Sequence, residues 1–329
     1  MKRACALALM LVIGGCAHQQ SPLAPAGDQA VALHQLLILM FIVSGLLYAS
    51  VLVGLCWSVL RGKAAAARKI NVAQEPSIGK GLWGAATVIT LALTALILAS
   101  FLADRALFST RAQPAMLVRI TAHQWWWRIE YQDAATGKWI ETANELHLPV
   151  SRTTRVLVRT SDVIHSFWVP NVAGKIDMVP GRPNQLDLTP RRLGWYRGQC
   201  AEYCGAQHAH MALDVRIEDA RSFDSWLARQ AAPAQLGSLQ SLPGAPVFDA
   251  HCASCHVIRG TSAKGKAGPD LTHIAGRRSI AAGTLPMTRG GLQGWIVQPQ
   301  ALKPGTMMPA SGLSASRADA VADYLAGLK

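Results

Sequence analysis

The stretch CAEYCGAQHAHM, residues 200–211, places two cysteines, two histidines and a methionine on one short segment. A second cluster, HCASCH, occupies residues 251–256. Thiolate, imidazole and thioether are soft ligands, so the first cluster predicts a copper site. The second contains C-x-x-C-H, the attachment pattern of c-type haem. A chain with both clusters is expected to pass electrons from one centre to the other.

The residues around the copper cluster alternate between apolar and polar side chains, as β-strands do. The runs MLVRI, RVLVRT and NQLDL have this period of two, at residues 116–120, 155–160 and 184–188. The turn-prone segments DAATGK and Pro180-Gly181 separate them. Short strands at this spacing predict an all-β sandwich or barrel, which we place at residues 105–230.

The haem pattern lies in a region of different composition. Residues 231–245 are rich in Ala, Pro, Gly, Ser and Gln without an apolar period, and this predicts a linker of intermediate stiffness. Residues 246–329 show short helical patterns and loops, with a capping-box-like helix start at Ser316 to Asp319. We therefore expect a separate all-α domain.

Two charge-free apolar runs, residues 36–60 and 82–103, are each long enough to cross ~30 Å of hydrocarbon as a helix. Five Lys or Arg residues and a single glutamate lie in the segment 61–81 between them. Basic loops stay on the cytoplasmic side, so both chain ends should lie outside. The pattern predicts a helical hairpin that anchors residues 16–104 in the inner membrane of a bacterium.

The N-terminus has the pattern of an export signal. Lys2 and Arg3 precede an apolar stretch at residues 4–13 that is too short to span a membrane, so residues 1–15 are predicted to be a signal peptide. Residues 12–16, VIGGC, resemble a bacterial lipobox, and the mature chain would then begin at a lipidated Cys16. Cleavage elsewhere, or none, is the alternative.

The seven cysteines leave no spare pair, so we expect no structural disulfide.

Four segments, HQWWWRIEY, SDVIHSFWVP, VPGRPNQL and CAEYCGAQHAHM, together resemble subunit II of the haem-copper cytochrome c oxidases in order and spacing. The resemblance covers about residues 33–230. It implies a cupredoxin fold and a binuclear copper centre, CuA, with six ligand residues: His165, Cys200, Glu202 through its backbone carbonyl, Cys204, His208 and Met211. It further implies a magnesium or manganese ion at the Glu202 carboxylate, at the junction with subunit I. Electrons from cytochrome c would reach CuA at Trp125.

Zinc is the alternative for this cluster, because two cysteines and two histidines could close a tetrahedral structural site. Met211 is a poor zinc ligand, which favours copper. The family pattern leaves position 210 variable and gives His123 a packing role, so neither His210 nor His123 is a predicted ligand. Lys80 stands where many subunit II sequences carry a glutamate of a proton path.

The haem cluster is interpreted in the same way. Cys252 and Cys255 would form thioethers to the haem vinyl groups, and His256 would bind the iron. The sequence GPDL at 268–271 resembles the loop of small cytochromes c whose proline carbonyl accepts the histidine N–H. In KPGTMMPA, residues 303–310, Met308 directly precedes a proline and is favoured over Met307 as the distal ligand.

Three other residues of this region are not predicted to bind the iron. His273 and Met287 lack the flanking loop of an axial ligand, and Trp295 is expected to pack near the haem. His–Met ligation would raise the reduction potential of the iron into a range suited to donation to copper.

The predicted function is that of subunit II of a caa-type cytochrome c oxidase. It would take electrons at haem c and pass them through CuA to subunit I for oxygen reduction and proton pumping. The expected partners are subunits I and III, a soluble or membrane-bound cytochrome donor and membrane lipid, with no nucleic acid. The alternatives are the CuA subunit of a nitric oxide reductase, a membrane-anchored copper chaperone and an electron carrier.

Charge adds a prediction about the donor. Residues 105–230 hold 16 Lys or Arg and 12 Asp or Glu, a net charge of +4. Residues 231–329 hold 9 and 4, a net charge of +5. A basic surface does not steer a basic cytochrome, so we expect an acidic or membrane-bound donor. A tethered haem domain, at an effective concentration of ~mM, makes acidic steering at CuA dispensable.

Overall fold

The computed structural model describes residues 19–65, 75–107 and 114–329. The predicted signal segment and Cys16 lie outside these residues. The chain divides into two compact units, Val31–Thr110 and the combination of Met1–Ala30 with Arg111–Lys329.

The first unit contains two long helices, α1 (Asp28–Ala65) and α2 (Glu75–Leu107). Their stretches Asp28–Arg61 and Ile78–Arg105 have mean hydropathies of 2.6 and 2.3 and are long enough to cross a membrane. Both helices extend beyond the predicted spans 36–60 and 82–103. The apolar runs mark only the part suited to hydrocarbon, whereas Ala, Lys and Arg in the flanks also favour helix.

The β domain is a sandwich of two five-stranded sheets, ordered β3-β2-β1-β5-β8 and β4-β10-β9-β6-β7. Its strands are β1 Met116–His123, β2 Trp126–Gln132, β3 Trp139–Ala143, β4 Glu145–Pro149, β5 Thr154–Thr160, β6 His165–Trp168, β7 Ile176–Met178, β8 Asn184–Leu188, β9 Gly194–Cys200 and β10 Ala212–Glu218. The pairs β1/β5 and β4/β10 are parallel and the other neighbours are antiparallel. The predicted all-β sandwich is confirmed.

Buried side chains at alternate positions along the strands fill the space between the two sheets. In β5, Thr154, Val156 and Val158 are buried while the residues between them are partly exposed. Trp127 and Phe167 are fully buried and meet edge to face, with ring centroids 6.1 Å apart. Burial of such side chains stabilises the fold by about 1.5–3 kcal/mol each, and this core holds the strand ends that carry the copper donors.

Residues 19–30 belong with the β domain, although the sequence placed them in the membrane anchor. The amide of Ala26 donates to the carbonyl of Asn171 at 2.6 Å. The guanidinium of Arg191 forms two hydrogen bonds of 2.6 Å with the carboxylate of Asp28. The predicted anchor of residues 16–104 is thus too long at its N-terminal end, because composition alone does not reveal these contacts.

The haem domain follows helix α3 (Ala220–Ala231), whose Phe223 and Trp226 pack into the β domain. Its elements are α4 Gly244–His251, β11 Ser279–Ile280, β12 Leu285–Pro286, α5 Arg289–Val297, α6 Pro299–Leu302 and α7 Ala315–Ala326. Phe248 and Tyr324 contact each other in its core. The domain is helical as predicted, apart from the short β11/β12 pair.

The segment 231–245, predicted to be a linker, packs against the haem domain. Leu236 is buried in the core of that domain, and Leu239 contacts it within a 3₁₀ turn at Gly237–Ser241. The amide of Ala234 donates to the carbonyl of Arg259 at 2.9 Å. The leucines supply apolar area that a composition rich in Ala, Pro, Gly and Ser does not suggest.

Several hydrogen bonds join the haem domain to the β domain. The amide of Ala212 donates to the carbonyl of Ala282 at 3.0 Å, directly after the copper cluster. The amide of Arg278 donates to the carboxylate of Glu145 at 2.7 Å. The two domains therefore meet beside β4 and the start of β10.

Candidate copper and haem sites

Three neighbouring strands position the copper donors. Cys200 ends β9, and the chain then makes a loop and a 3₁₀ turn, His208–His210, before β10 begins at Ala212. His165 begins β6, which pairs with β9 on the other side. The sandwich thus brings His165 to the cysteine loop across 35 residues of sequence.

The donor atoms form two matched halves. The thiols of Cys200 and Cys204 lie 3.7 Å apart. The Cys200 sulphur is 3.7 Å from Nδ1 of His165, and the Cys204 sulphur is 3.6 Å from Nδ1 of His208. A weaker donor flanks each thiol: the carbonyl oxygen of Glu202 is 3.2 Å from Cys200, and the thioether of Met211 is 4.0 Å from Cys204.

This donor set would suit a pair of copper ions better than a single zinc ion. Donor atoms of His165, Cys200 and Cys204 lie within 4.8 Å of one another, and His208 is not part of that group. A single tetrahedral zinc ion would need all four ligands around one point and would leave the carbonyl and the thioether unused. One imidazole and one weak donor on each thiol suit a copper pair instead.

Asp162 orients His165. Its carboxylate lies 2.8 Å from Nε2 of the imidazole, which leaves Nδ1 facing the Cys200 sulphur. Burial opposes ionisation of Asp162, but hydrogen bonds from His165 and from two backbone amides lower its pKa to about 2. Carboxylates in this position fix the ring of a metal-binding histidine. The motifs do not include Asp162, and its position three residues before His165 is the available sequence signal.

The two thiols are coupled by their proximity. A hydrogen bond from Cys204 lowers the pKa of Cys200, and burial opposes this effect. The same contact raises the pKa of Cys204. A neighbour that stabilises the Cys200 thiolate favours metal binding, because the thiolate is the form that binds a metal.

Trp125 lies beneath the haem domain and is only 8% exposed. Its indole Nε1 donates to the carbonyl of Cys204 at 2.9 Å. The family resemblance places a surface tryptophan here, so the structure differs from that expectation. Residues of the haem domain cover the indole, whereas Trp126 remains partly exposed and stacks on His123 at 4.5 Å.

The two histidines that were not predicted as ligands have other contacts. His210 is exposed, and its Nδ1 lies 2.8 Å from the side-chain oxygen of Gln207. Nδ1 of His123 lies 2.7 Å from the hydroxyl of Ser161. Burial, with a smaller effect from Arg128, lowers the pKa of His123 to about 4.

His256 of the haem pattern has the geometry of a proximal ligand. Its Nδ1 lies 2.9 Å from the carbonyl oxygen of Pro269, as the GPDL pattern predicts, and this leaves Nε2 available for iron. A Cβ atom on Gly268 would lie 2.5 Å from the imidazole, so only glycine lets the ring lie there. Salt-bridged Asp270 and Arg259, 3.2 Å apart, brace the same loop.

The attachment cysteines follow helix α4. Cys252 is partly buried, Cys255 is exposed, and both are free thiols. The helical hydrogen bond from the amide of His256 to the carbonyl of Cys252 places the three residues on one turn. These donors fit a covalently attached haem.

The other candidates for the axial iron ligand differ in their burial and hydrogen bonds. Met307 is 81% exposed, whereas Met308 is partly buried and its carbonyl accepts a hydrogen bond from Gln300. Both ring nitrogens of His273 are engaged by backbone carbonyls at 2.9 and 3.0 Å. Met287 and Trp295 pack against the apolar core.

Comparison with known proteins identifies the two domains that carry these candidate sites. Residues 132–218 match the family described as "Cytochrome C oxidase subunit II, periplasmic domain", and residues 241–329 match "Cytochrome c". The chain is 30% identical to cytochrome c oxidase subunit 2 of Alkalihalophilus pseudofirmus, over 98% of this chain and 95% of that protein. The chain belongs to the cytochrome c oxidase subunit 2 family. Its composition from a subunit II domain and a fused cytochrome c domain is confirmed.

Two further similarities cover parts of this subunit 2. Cytochrome c oxidase subunit 2 of Bacillus subtilis is 31% identical, over 67% of this chain and 64% of that protein. The periplasmic domain of subunit II from Bradyrhizobium japonicum is 30% identical, covering 36% of this chain and 96% of that chain, with a TM-score of 0.34.

The subunit 2 family sets the broad biochemistry. The chain is a component of a haem-copper terminal oxidase, anchored by two apolar helices and carrying a periplasmic domain. The two matched domains indicate CuA copper and haem c as cofactors and subunit I as a partner.

Proposed function

We propose that this subunit receives electrons at haem c and passes them through binuclear CuA to the haem-copper centre of subunit I, where oxygen reduction is coupled to proton pumping. The arrangement of the two thiols, 3.7 Å apart with an imidazole beside each, carries the proposal. When bound, the copper pair would share one electron over both ions and keep reorganisation small.

The chain's own residues hold that centre in a fixed, dry environment. His165, Cys200, Cys204 and Met211 are buried, so water has little access to the ligands. Asp162 fixes the His165 ring through a 2.8 Å contact. A rigid ligand set disfavours rearrangement between redox states, which suits electron transfer better than substrate binding.

At the second centre, Cys252 and Cys255 would attach the haem and His256 would bind its iron. The carbonyl oxygen of Pro269 holds the imidazole by accepting a hydrogen bond from Nδ1–H. We assign Met308 as the distal ligand because its flanking proline and partial burial distinguish it from exposed Met307.

Glu202 is proposed to serve a second metal as well. Its carbonyl points at the copper cluster, while its carboxylate, 45% exposed, lies 4.0 Å from Nζ of Lys175. An exposed carboxylate is a suitable ligand for magnesium or manganese. The remaining ligands would come from subunit I, at the junction between the subunits.

We propose an acidic or membrane-bound cytochrome as the donor, docking on the haem domain with its net charge of +5. Supporting this assignment, Trp125 is covered and cannot serve as an open docking surface. Turnover with an acidic donor should fall as ionic strength rises. A steep fall with a basic cytochrome c instead would contradict the proposal.

The remaining proposals concern location and assembly. The chain would be exported by residues 1–15 and lipidated at Cys16 in a bacterial inner membrane, with both cofactor domains on the outer side. It would assemble with subunits I and III. Mass spectrometry of the mature N-terminus tests the lipid, because an unmodified or uncleaved N-terminus would exclude it.

The decisive experiment is purification of the complex followed by metal analysis, haem analysis and parallel measurement of oxygen and nitric oxide consumption. We expect a copper pair and a single haem c per chain, with oxygen as the acceptor. Zinc in place of copper would overturn the assignment of the cysteine cluster. Nitric oxide consumption without oxygen consumption would indicate a nitric oxide reductase subunit.

A further inference from the structure

Lys303 of the haem domain is a buried lysine, only 2% exposed, at the contact with the β domain. Its Nζ donates to the carbonyl oxygens of Trp125 at 2.9 Å, His210 at 2.8 Å and Ala281 at 2.9 Å. Within the described part of the chain, no carboxylate forms an ion pair with it. Three carbonyls thus match the three N–H donors of one ammonium group.

Burial of a charge is costly unless the surrounding groups replace its hydration, so a lysine at this position has a specific structural reason. Burial lowers the pKa of Lys303 to about 7. A neutral amine has only two N–H donors and would leave one carbonyl unpaired. The ammonium form is therefore the one that satisfies the whole arrangement.

The three acceptors lie on the segments that matter for electron transfer. The indole of Trp125 contacts the carbonyl of Cys204, and His210 directly precedes Met211. Ala281 directly precedes Ala282, whose carbonyl accepts from the amide of Ala212. Lys303 therefore ties the copper loop, the covered tryptophan and a haem-domain loop to one point.

The residues after Lys303 continue this contact towards the predicted distal ligand. Nε2 of Gln207 donates to the carbonyl of Pro304 at 2.8 Å. A Cβ atom on Gly305 would lie 3.4 Å from the Trp125 ring, so the glycine backbone lies directly against the indole. Met308 follows three residues later on the same segment.

We propose that Lys303 is a positioning residue that holds the Met308 segment against Trp125 and the copper loop. The contact fixes the path by which an electron moves from the haem domain into the CuA domain. The inference rests on the proposed function, since it assumes haem c as donor and CuA as acceptor within one chain.

The test uses the purified whole oxidase with Lys303→Met, which keeps most of the side-chain volume and removes all three donors. Lys264→Met is the matched control, because Lys264 is an exposed lysine of the same domain. After rapid reduction of haem c, the absorbance of each centre reports the rate of transfer to CuA. Electron transfer slows as the separation between donor and acceptor grows, so we expect transfer to be several-fold slower in Lys303→Met than in Lys264→Met.

A second measurement does not depend on turnover. Hydrogen–deuterium exchange should become faster at the amide of Ala212, whose acceptor lies across the contact, while the copper and haem spectra stay unchanged. Lys264→Met should match the native protein in both measurements. A native transfer rate and native exchange in fully loaded Lys303→Met would overturn the proposal.

If the Lys303→Met oxidase does not assemble, the same test can be made with Lys303→Gln, whose side-chain amide keeps two N–H donors. It should slow transfer less than the methionine variant does, and a native rate would again overturn the inference. Failure of the underlying function has a different signature. If haem c does not reduce CuA in the native complex, the proposed electron path is wrong whatever the variants do.

Discussion

The two cofactor regions of this subunit are built in opposite ways. The predicted copper donors come from two strands, β6 and β9, and from the loop between β9 and β10, and the sandwich buries most of them. The haem donors Cys252, Cys255 and His256 lie on one turn after a short helix, with one cysteine exposed. The copper geometry therefore depends on the packing of a whole domain, whereas haem attachment depends on a local pattern and a braced loop.

The largest expected effect comes from removing one of the two proposed copper-binding thiols. Cys204→Ser should abolish the copper pair and lower oxygen consumption at least about 100-fold, because even loss of an outer partner costs about 10–100-fold in metal affinity. Copper analysis and near-infrared absorption check the result, and haem c should remain attached. Cys56→Ser, at an exposed helical cysteine, is the control. Loss of haem together with copper would show that the two regions do not form independently.

On the haem side, Met308→Leu tests the distal ligand. Loss of a thioether ligand should lower the haem c potential by on the order of 100 mV. At 59 mV per tenfold for one electron, reduction by the donor would become about 50-fold less favourable. Redox titration measures the shift, and Met307→Leu should leave the potential unchanged. The reverse result would assign Met307 as the ligand.

The variant Asp162→Asn removes the carboxylate that orients His165 but keeps every predicted copper ligand. The amide cannot replace the carboxylate that orients His165, so we expect about tenfold weaker copper binding with the cysteines intact. Competition with a copper chelator provides the measurement. Asp177→Asn changes an exposed aspartate of the same sheet and should bind copper normally. Equal affinities in the two variants would mean that the fold alone positions His165.

The smallest effect concerns the contact between the regions and its dependence on pH. Burial alone would lower the pKa of His147. The imidazole lies 2.9 Å from Glu145 and 2.6 Å from Glu218, however, and these carboxylates raise its pKa overall. Glu145 also accepts the amide of Arg278 from the haem domain. The folded state thus favours protonated His147, so its stabilisation is present below the unfolded pKa of about 6.5 and is lost as pH rises through the raised pKa.

His147→Gln removes this proton-linked stabilisation. Thermal unfolding of the complex should begin at a lower temperature in the variant at acidic pH, with the difference shrinking as pH rises. Copper absorption follows the β domain during heating. A difference that stays constant with pH would show that His147 contributes through stacking on Trp226, at 3.8 Å, rather than through its charge.

The sequence predicted much of the architecture because its signals are local. Period-two runs predicted the β sandwich. Short helical patterns predicted the helical haem domain, and two long apolar runs predicted the two long N-terminal helices. It was less successful where distant segments meet. Residues 19–30, which were expected in the membrane anchor, pack on the β domain. The segment 231–245 packs through Leu236, because a few contacts outweigh a composition that is typical of linkers.

What the sequence by itself determined is the chemistry of the two sites. The spacing of Cys200, Cys204, His208 and Met211 and the C-x-x-C-H pattern predict the donor atoms, because ligand type and local spacing can be read directly from the sequence. Only the tertiary structure decided how the donors are supported and how the two sites meet: Asp162 behind His165, the burial of Trp125 and the three carbonyls around Lys303. These contacts join residues up to 178 positions apart, and no local periodicity encodes them.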